Sequence, residues 1–349
     1  MKYAVVGFGT AGYHAVKKIR ELDKEGCIDV YSNTGRAPYN PMLTTYYAFG
    51  KLEYEGMFPF GDLEQIQKEV DFNLRKETVI KVHGSEHLVE TENGSEQYDR
   101  ILIATGARAF APPVKGLEPE DAFLMRTVED ALRFKDRLKK NDIKHAVVIG
   151  ASMAGIKVVE VLHKYGIETW LLDLASYIFP LAAYKEVAKE IEKRVEAQGV
   201  HLMFGVTIDH MEQENGEKTA VLTDGSRIPA DIVGLCIGTR AITETVQGEV
   251  EIGRGIVVDD HMRTSVPGIY AAGDCCEGNN LESGQNQIIG LWANANHQGE
   301  TAGINMAGGD MAYKGNILHN ITHFMNMDFI GFGDNRMQGE VLEYGSLSE

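Results

Sequence analysis

Val5-Val6-Gly7-Phe8-Gly9-Thr10-Ala11-Gly12 is an apolar run that turns into a glycine-rich corner. Gly7, Gly9 and Gly12 fit G-x-G-x-x-G. The first glycine permits a tight turn, the second lets backbone approach a pyrophosphate, and the third lets the following helix pack on its strand. The N–H groups and positive dipole end of that helix would face the phosphates. A second version follows at His145-Ala146-Val147-Val148-Ile149-Gly150-Ala151-Ser152-Met153-Ala154-Gly155. One such corner is a weak signal; two in one chain imply two bound dinucleotides.

The surrounding chain supports an α/β organisation. Helical spacing of Ala15, Val16, Ile19 and Leu22 predicts a helix after the first corner, and Ile28–Tyr31 reads as the next strand. A ribose-binding acid is expected at the end of such a strand. Here the candidates are Ser32 and Asn33. Pro38-Tyr39-Asn40-Pro41 predicts a rigid turn into a short helix. Thr78–Val82 and His87–Thr91 read as strands, with Asn93-Gly94 as a hairpin turn. Ile101–Ala107 reads as a buried strand ending in the turn Thr105-Gly106, and Pro112-Pro113 marks a boundary.

After the second corner, Thr169–Leu172 ends in Asp173, 23 residues beyond Gly150. That is about the distance expected of a ribose-binding carboxylate, and it disfavours a 2′-phosphate. Helices are expected over Val128–Leu138 and Tyr184–Gln198, and from Leu291 to Ala307. Ile232–Gly238 and Gly268–Asp274 read as strands, and two more lie within Ile317–Phe332.

Composition bounds the function. At 349 residues and 44% hydrophobic, the chain has material for two or three packed domains. The net charge of −17 argues against nucleic acid and anionic membrane surfaces. No apolar run reaches the roughly 18 residues of a membrane span. No signal-peptide pattern opens the chain, so a cytoplasmic location is expected. Cys27, Cys236, Cys275 and Cys276 have no zinc or C-x-x-C spacing. They read as structural thiols, and no metal site is expected. His319 and His323 fall in strand, His297 reads as a cap or packing residue at a helix start, and Met325 and Met327 read as core.

Four motifs, in order, resemble the pyridine-nucleotide flavoprotein reductases, among them nitrite reductase flavin domains, rubredoxin reductases and NADH oxidases. They are the first corner, Ala104-Thr105-Gly106, the second corner, and Gly268–Asp274. The resemblance covers about residues 1–312. It implies two Rossmann-like domains, the FAD domain (1–111 and 237–312) being split by an inserted NADH domain (112–236), with 313–349 a reduced C-terminal interface segment. It implies that Gly7, Gly9, Thr10, Ala11, Gly12, Asn33, Pro41, Thr105, Gly106, Gly273, Asp274 and Trp292 serve FAD. Gly150, Ser152, Met153, Ala154, Gly155, Asp173 and Gly238 complete the cofactor-binding set. Asp274 would bond the ribityl chain, and the helix after Trp292 would point its N-terminus at the flavin pyrimidine edge.

Two departures narrow the expectation. Met42 stands where disulfide-reducing members keep a redox cysteine, and a thioether cannot cycle between thiolate and disulfide. Lys157 replaces a glutamate near the nicotinamide; it is either a solvated helix lysine or a cation beside flavin N5. The expected activity is hydride transfer from NADH to flavin N5, then electron transfer to a redox protein or partner subunit. An NADH oxidase reducing oxygen to peroxide, or a low-turnover nucleotide-binding flavoprotein with a structural or redox-sensing role, are the alternatives. The oligomeric state is left open.

Overall fold

The computed structural model describes residues 1–335 and 340–345. Its helices are α1 (Thr10–Leu22), α2 (Leu43–Phe49), α3 (Leu63–Glu69), α4 (Val128–Leu138), α5 (Met153–Lys164), α6 (Lys185–Glu196) and α7 (Trp292–Met306). The chain forms two compact units, each drawn from three stretches. The first takes Met1–Asn40, Tyr54–Arg108 and Arg240–Leu318. The second takes Pro41–Glu53, Ala109–Thr239 and the described residues from His319 onward.

The first unit is built on a five-stranded parallel sheet. Its spatial order is Ile269–Ala271, Arg100–Ile103, Lys2–Val6, Cys27–Tyr31, Asn73–Arg75. Lys2–Val6 is central, with Val5 opposite Val30 on one side and Leu102 on the other. A strand covered on both faces needs continuous apolar sequence, and Tyr3, Ala4, Val5 and Val6 are all buried. An antiparallel meander, Val79–His83, Leu88–Thr91 and Gly94–Gln97, completes the unit, with Thr91 opposite Gly94 at the turn. Asp62 caps α3 by accepting the Gln65 N–H at 2.8 Å. That helix and the strand Asn73–Arg75 are not foreseen from the sequence.

The second unit repeats this plan. Its parallel order is Ala122–Phe123, Ile232–Leu235, His145–Ile149, Glu168–Asp173, His201–Phe204. Its meander is Ile208–Glu214, Glu217–Leu222 and Arg227–Pro229. A capping box starts α4: the Thr127 hydroxyl accepts from Asp130 N–H and the Asp130 carboxylate accepts from Thr127 N–H. The C-terminal part of this unit is a hairpin, His319–Phe324 and Met327–Phe332. Met325 and Asn326 both have positive φ, the requirement of a tight two-residue turn. Phe324, Met325, Met327 and Phe329 are buried in the unit's core.

Three placements differ from the sequence reading. The units change over at Arg108/Ala109, Thr239/Arg240 and Leu318/His319 rather than at 112, 237 and 313. Pro41–Glu53, with α2, belongs to the second unit. His297 is exposed within α7, and the N-cap of that helix is Leu291, so His297 neither caps nor packs at its start.

α1 and α7 approach closely in the first unit because both meet through small residues four apart. A β carbon on Gly299 would lie 2.3 Å from Ala11 O, and one on Gly303 would lie 2.5 Å from Ala15 O. Residues spaced by four share one helix face, so the two glycines seat against Ala11 and Ala15 in register. Gly303→Ala should therefore force the helices apart and cost about 1–3 kcal/mol, the usual scale of overpacking. Thermal unfolding of the variant measures this; an unchanged midpoint would refute the contact.

Candidate functional site

The two glycine corners have the same construction. Gly7 and Gly150 adopt φ of 103° and 105°. A β carbon on Gly7 would lie 2.3 Å from Ala104 O, and one on Gly150 would lie 2.3 Å from Cys236 O. Inside each corner, a β carbon on Gly12 would be 2.2 Å from Gly7 O, and one on Gly155 1.9 Å from Gly150 O. Each corner is thus clamped between its own helix and the turn after the neighbouring strand, Arg100–Ile103 in the first unit and Ile232–Leu235 in the second. Those turns are Ala104-Thr105-Gly106 and Cys236-Ile237-Gly238, and Gly106 and Gly238 both have positive φ. Gly238 is therefore the counterpart of Gly106.

In the first unit, Gly9 is the N-cap of α1, with no side chain capping the helix. A β carbon on Gly9 would meet nothing within 4 Å. Uncapped N–H groups beside open space are the setting a pyrophosphate requires. Thr10 and Ala11 open α1, and the Thr10 hydroxyl bonds Asn296 of α7. Gly273 sits near Ala11 and Ala295, a β carbon there being 3.1 and 3.7 Å from theirs. Asp274 follows, and a β carbon on Gly290 would be 3.9 Å from its Oδ2. The Thr105 hydroxyl donates to Ile242 O at 2.6 Å. Trp292 opens α7, stacked on Phe60 at 5.7 Å. Trp292 Nε1 and Gln287 Nε2 are buried without a hydrogen-bond partner among the described residues. Stranded buried donors and an open, uncapped glycine corner fit a large polar cofactor such as FAD.

Register relates the strand ends of the two units. Gly150 N–H donates to Leu172 O, the residue before Asp173; Gly7 N–H donates to Tyr31 O, the residue before Ser32. Ser32 thus occupies in the first unit the place that Asp173 occupies in the second, and Asn33 lies one residue further, exposed. Pro41 falls in the second unit, immediately before Met42, the 57%-exposed N-cap of α2.

In the second unit, the Ser152 hydroxyl accepts Gly155 N–H at 3.2 Å and donates to Cys236 O at 2.9 Å. It caps α5 and ties the corner to the Cys236-Ile237-Gly238 turn, leaving the Met153 and Ala154 amides as the first-turn donors. Asp173 accepts Ala151 N–H through Oδ2 at 2.7 Å and Ala175 N–H through Oδ1 at 2.8 Å. Each oxygen keeps a further lone pair for a ribose hydroxyl.

Lys157 is 7% exposed, which overturns the reading of a solvated helix lysine. Its ammonium pairs with Glu160, donates to His323 O at 2.7 Å and lies 4.6 Å from the Tyr46 ring centre. Glu160 also takes Lys51 at 3.2 Å and Met325 N–H at 3.1 Å. Burial pulls the Lys157 pKa down, opposed by Glu160. Burial pushes Glu160 up, but the Lys157 bond and charge, the Met325 amide and Lys51 outweigh it and hold the carboxyl below its ordinary 4.5.

Elsewhere, Asp259, Asp260 and His261 lie close together, with His261 bonded to Asp260 at 2.6 Å and Asp310 at 2.9 Å. No helix among the described residues is long and apolar enough to cross a membrane.

Two parallel-sheet dinucleotide units in one chain define the flavin-and-nicotinamide class of oxidoreductase. The chain belongs to the pyridine nucleotide-disulphide oxidoreductase family, whose model matches residues 1–299. It is an FAD-dependent NAD(P)H oxidoreductase of that family, whose members bind FAD and NAD(P)H. It is 28% identical over 348 residues to the NADH-dependent phenylglyoxylate dehydrogenase subunit epsilon of Aromatoleum evansii, covering 98% of this chain and 82% of that one. It is 28% identical over 310 residues to the ferredoxin–NAD(+) reductase component of a 3-phenylpropionate/cinnamic acid dioxygenase from Photorhabdus laumondii, covering 88% and 77%. Its fold matches a NAD-dependent persulfide reductase from A. fulgidus at a TM-score of 0.87 and 26% identity, covering 93% of this chain and 62% of that one.

The buried pair yields a stability test. Glu160→Gln leaves Lys157 buried without its anion and should destabilise the fold by about 3 kcal/mol. Because Glu160 is held below its ordinary pKa, its contribution is complete above that range and is lost as pH falls through the lowered value. Chemical denaturation at neutral pH reads the first effect, and a flatter acid limb in Glu160→Gln reads the second.

Proposed function

We propose that the chain oxidises NADH through bound FAD and hands the electrons to a protein acceptor or partner subunit, not to a disulfide. The observation that carries the choice of acceptor is Met42. It begins α2 where disulfide-reducing relatives keep a thiol, and the sequence has no cysteine between Cys27 and Cys236. Two relatives support the protein acceptor by their names, one a subunit of a dehydrogenase and one a reductase component.

The residues divide the work by unit. The first-turn amides of α1 receive the FAD pyrophosphate, with Gly9 leaving room for it. Asp274 accepts a ribityl hydroxyl, and the α7 N-terminus beside Trp292 favours negative charge at the flavin pyrimidine edge. FAD, when bound, supplies hydride acceptance. In the second unit, the Met153 and Ala154 amides take the NADH pyrophosphate and Asp173 takes the ribose hydroxyls. No lysine or arginine occurs from Leu174 to Tyr184 to neutralise a 2′-phosphate, so NADH is preferred over NADPH. Lys157 is a packing cation held by Glu160, and no side chain is needed as acid or base.

Asp274→Ala should remove a charge-assisted bond of about 1.5–3 kcal/mol and loosen FAD, measured by flavin retention on gel filtration. Asp173→Ala should erode the preference for NADH over NADPH in kcat/KM while leaving flavin reduction intact; a native preference for NADPH would count against the placement. Three of the four cysteines are buried and Cys27 is exposed. Alkylation should therefore leave NADH-to-ferricyanide activity standing, and its loss with FAD and fold retained would put a thiol on the electron path.

A further inference from the structure

The hairpin His319–Phe332 grips the stretch of chain that follows Asp173. In that stretch Phe179 has φ 55°, a left-handed conformation that a bulky side chain rarely takes. Its ring is 1% exposed, set edge-on to Phe324 at 5.5 Å and tilted against Phe329 at 5.1 Å. Next to it, the hairpin's Gly331 lies so close that a β carbon would be 2.6 Å from Ala182 O. Asn335, just past the hairpin, donates to Ala183 O at 2.7 Å and Pro180 O at 3.2 Å.

Phe179 in turn acts on the second glycine corner. Its N–H donates to Ala151 O at 2.9 Å, while its own carbonyl accepts from Ala182 and Ala183. Ala151 N–H is the group held by Asp173 Oδ2. Both backbone groups of Ala151 are therefore fixed by the end of the strand Glu168–Asp173 and the chain that follows it, one by Asp173 and one by Phe179. A strained residue persists only where its surroundings over-determine it. Here the surroundings are two hairpin phenylalanines, and the hairpin is itself bonded to α5 through Glu160 and Lys157.

We propose that Phe179 is a positioning residue for NADH, locked by Phe324 and Phe329, so that the C-terminal hairpin shapes the nucleotide site without touching the nucleotide. This rests on the reading of Asp173 as the ribose-binding acid. Loosening the phenylalanine contacts frees Phe179 to leave the left-handed region. Ala151 O then loses its donor, and the corner and carboxylate drift from the geometry that binds ribose.

The test uses the FAD-loaded protein, steady-state oxidation of NADH by ferricyanide, and amide hydrogen exchange. Phe324→Ala should raise KM for NADH about tenfold, less than the roughly hundredfold that a 1 Å misplacement can cost, with kcat and FAD content nearly unchanged. Exchange should quicken selectively over residues 174–184, and NADH should restore protection less well than in the native protein. Phe324→Leu, which keeps apolar volume, should shift KM and exchange in the same direction by less, and guards against a variant that fails to fold. An unchanged KM, a fall in kcat at constant KM, or quickened exchange spread evenly through the second unit would overturn the proposal. A native protein that oxidises no NADH would instead sink the reading of Asp173, and the proposal with it.

Discussion

One steric condition recurs at the heart of each unit: a carbonyl oxygen occupies the place where the first corner glycine would carry a β carbon. Ala104 O fills it for Gly7 and Cys236 O for Gly150. Only glycine tolerates both that contact and the positive φ. The contact sets the distance between the ends of the corner's strand and the strand beside it, and the second steric condition, at Gly12 and Gly155, sets the helix on its strand. Everything assigned to phosphate binding depends on these two approaches, because they aim the first-turn amides of α1 and α5. The close seating of α7 on α1 adds a third, bringing Trp292 and Gly273 to the same end of the first unit.

These corners were legible in the sequence because their constraint is local and only one residue type satisfies it. The central strands were legible for a related reason: burial on both faces leaves an uninterrupted apolar run. The hairpin strands also showed, although its turn of Met325 and Asn326 lacks the usual Asn-Gly signal. What did not show was set by distant partners. Pro41–Glu53 has no internal mark of belonging to the second unit, and α2 packs there through residues far along the chain. Ser32 and Asn33 both stand as candidate hydroxyl partners in the sequence, while register puts Ser32 in the place matching Asp173.

Lys157 and Glu160 show the same limit from another side. A lysine and glutamate three apart on a helix ordinarily share a wet surface. Here α5 is covered nearly all round, and the hairpin supplies His323 O and the Met325 amide to complete the pair. Phe179 was equally silent, since nothing about a phenylalanine announces a left-handed backbone.

The interleaving of the two units has a consequence for how such a chain is made and remade. Translation delivers Pro41–Glu53 long before the rest of its unit, and that unit's hairpin only after Leu318. The first unit likewise waits for Ile269–Ala271 and α7 to complete its sheet edge and cover α1. Both cores therefore close late, with contacts of long sequence separation, which slows folding and favours partly packed intermediates. For inheritance the effect is similar. Transplanting Ala109–Thr239 as a cassette would leave α2 and the hairpin behind, so the second unit travels intact only if three separate stretches move together.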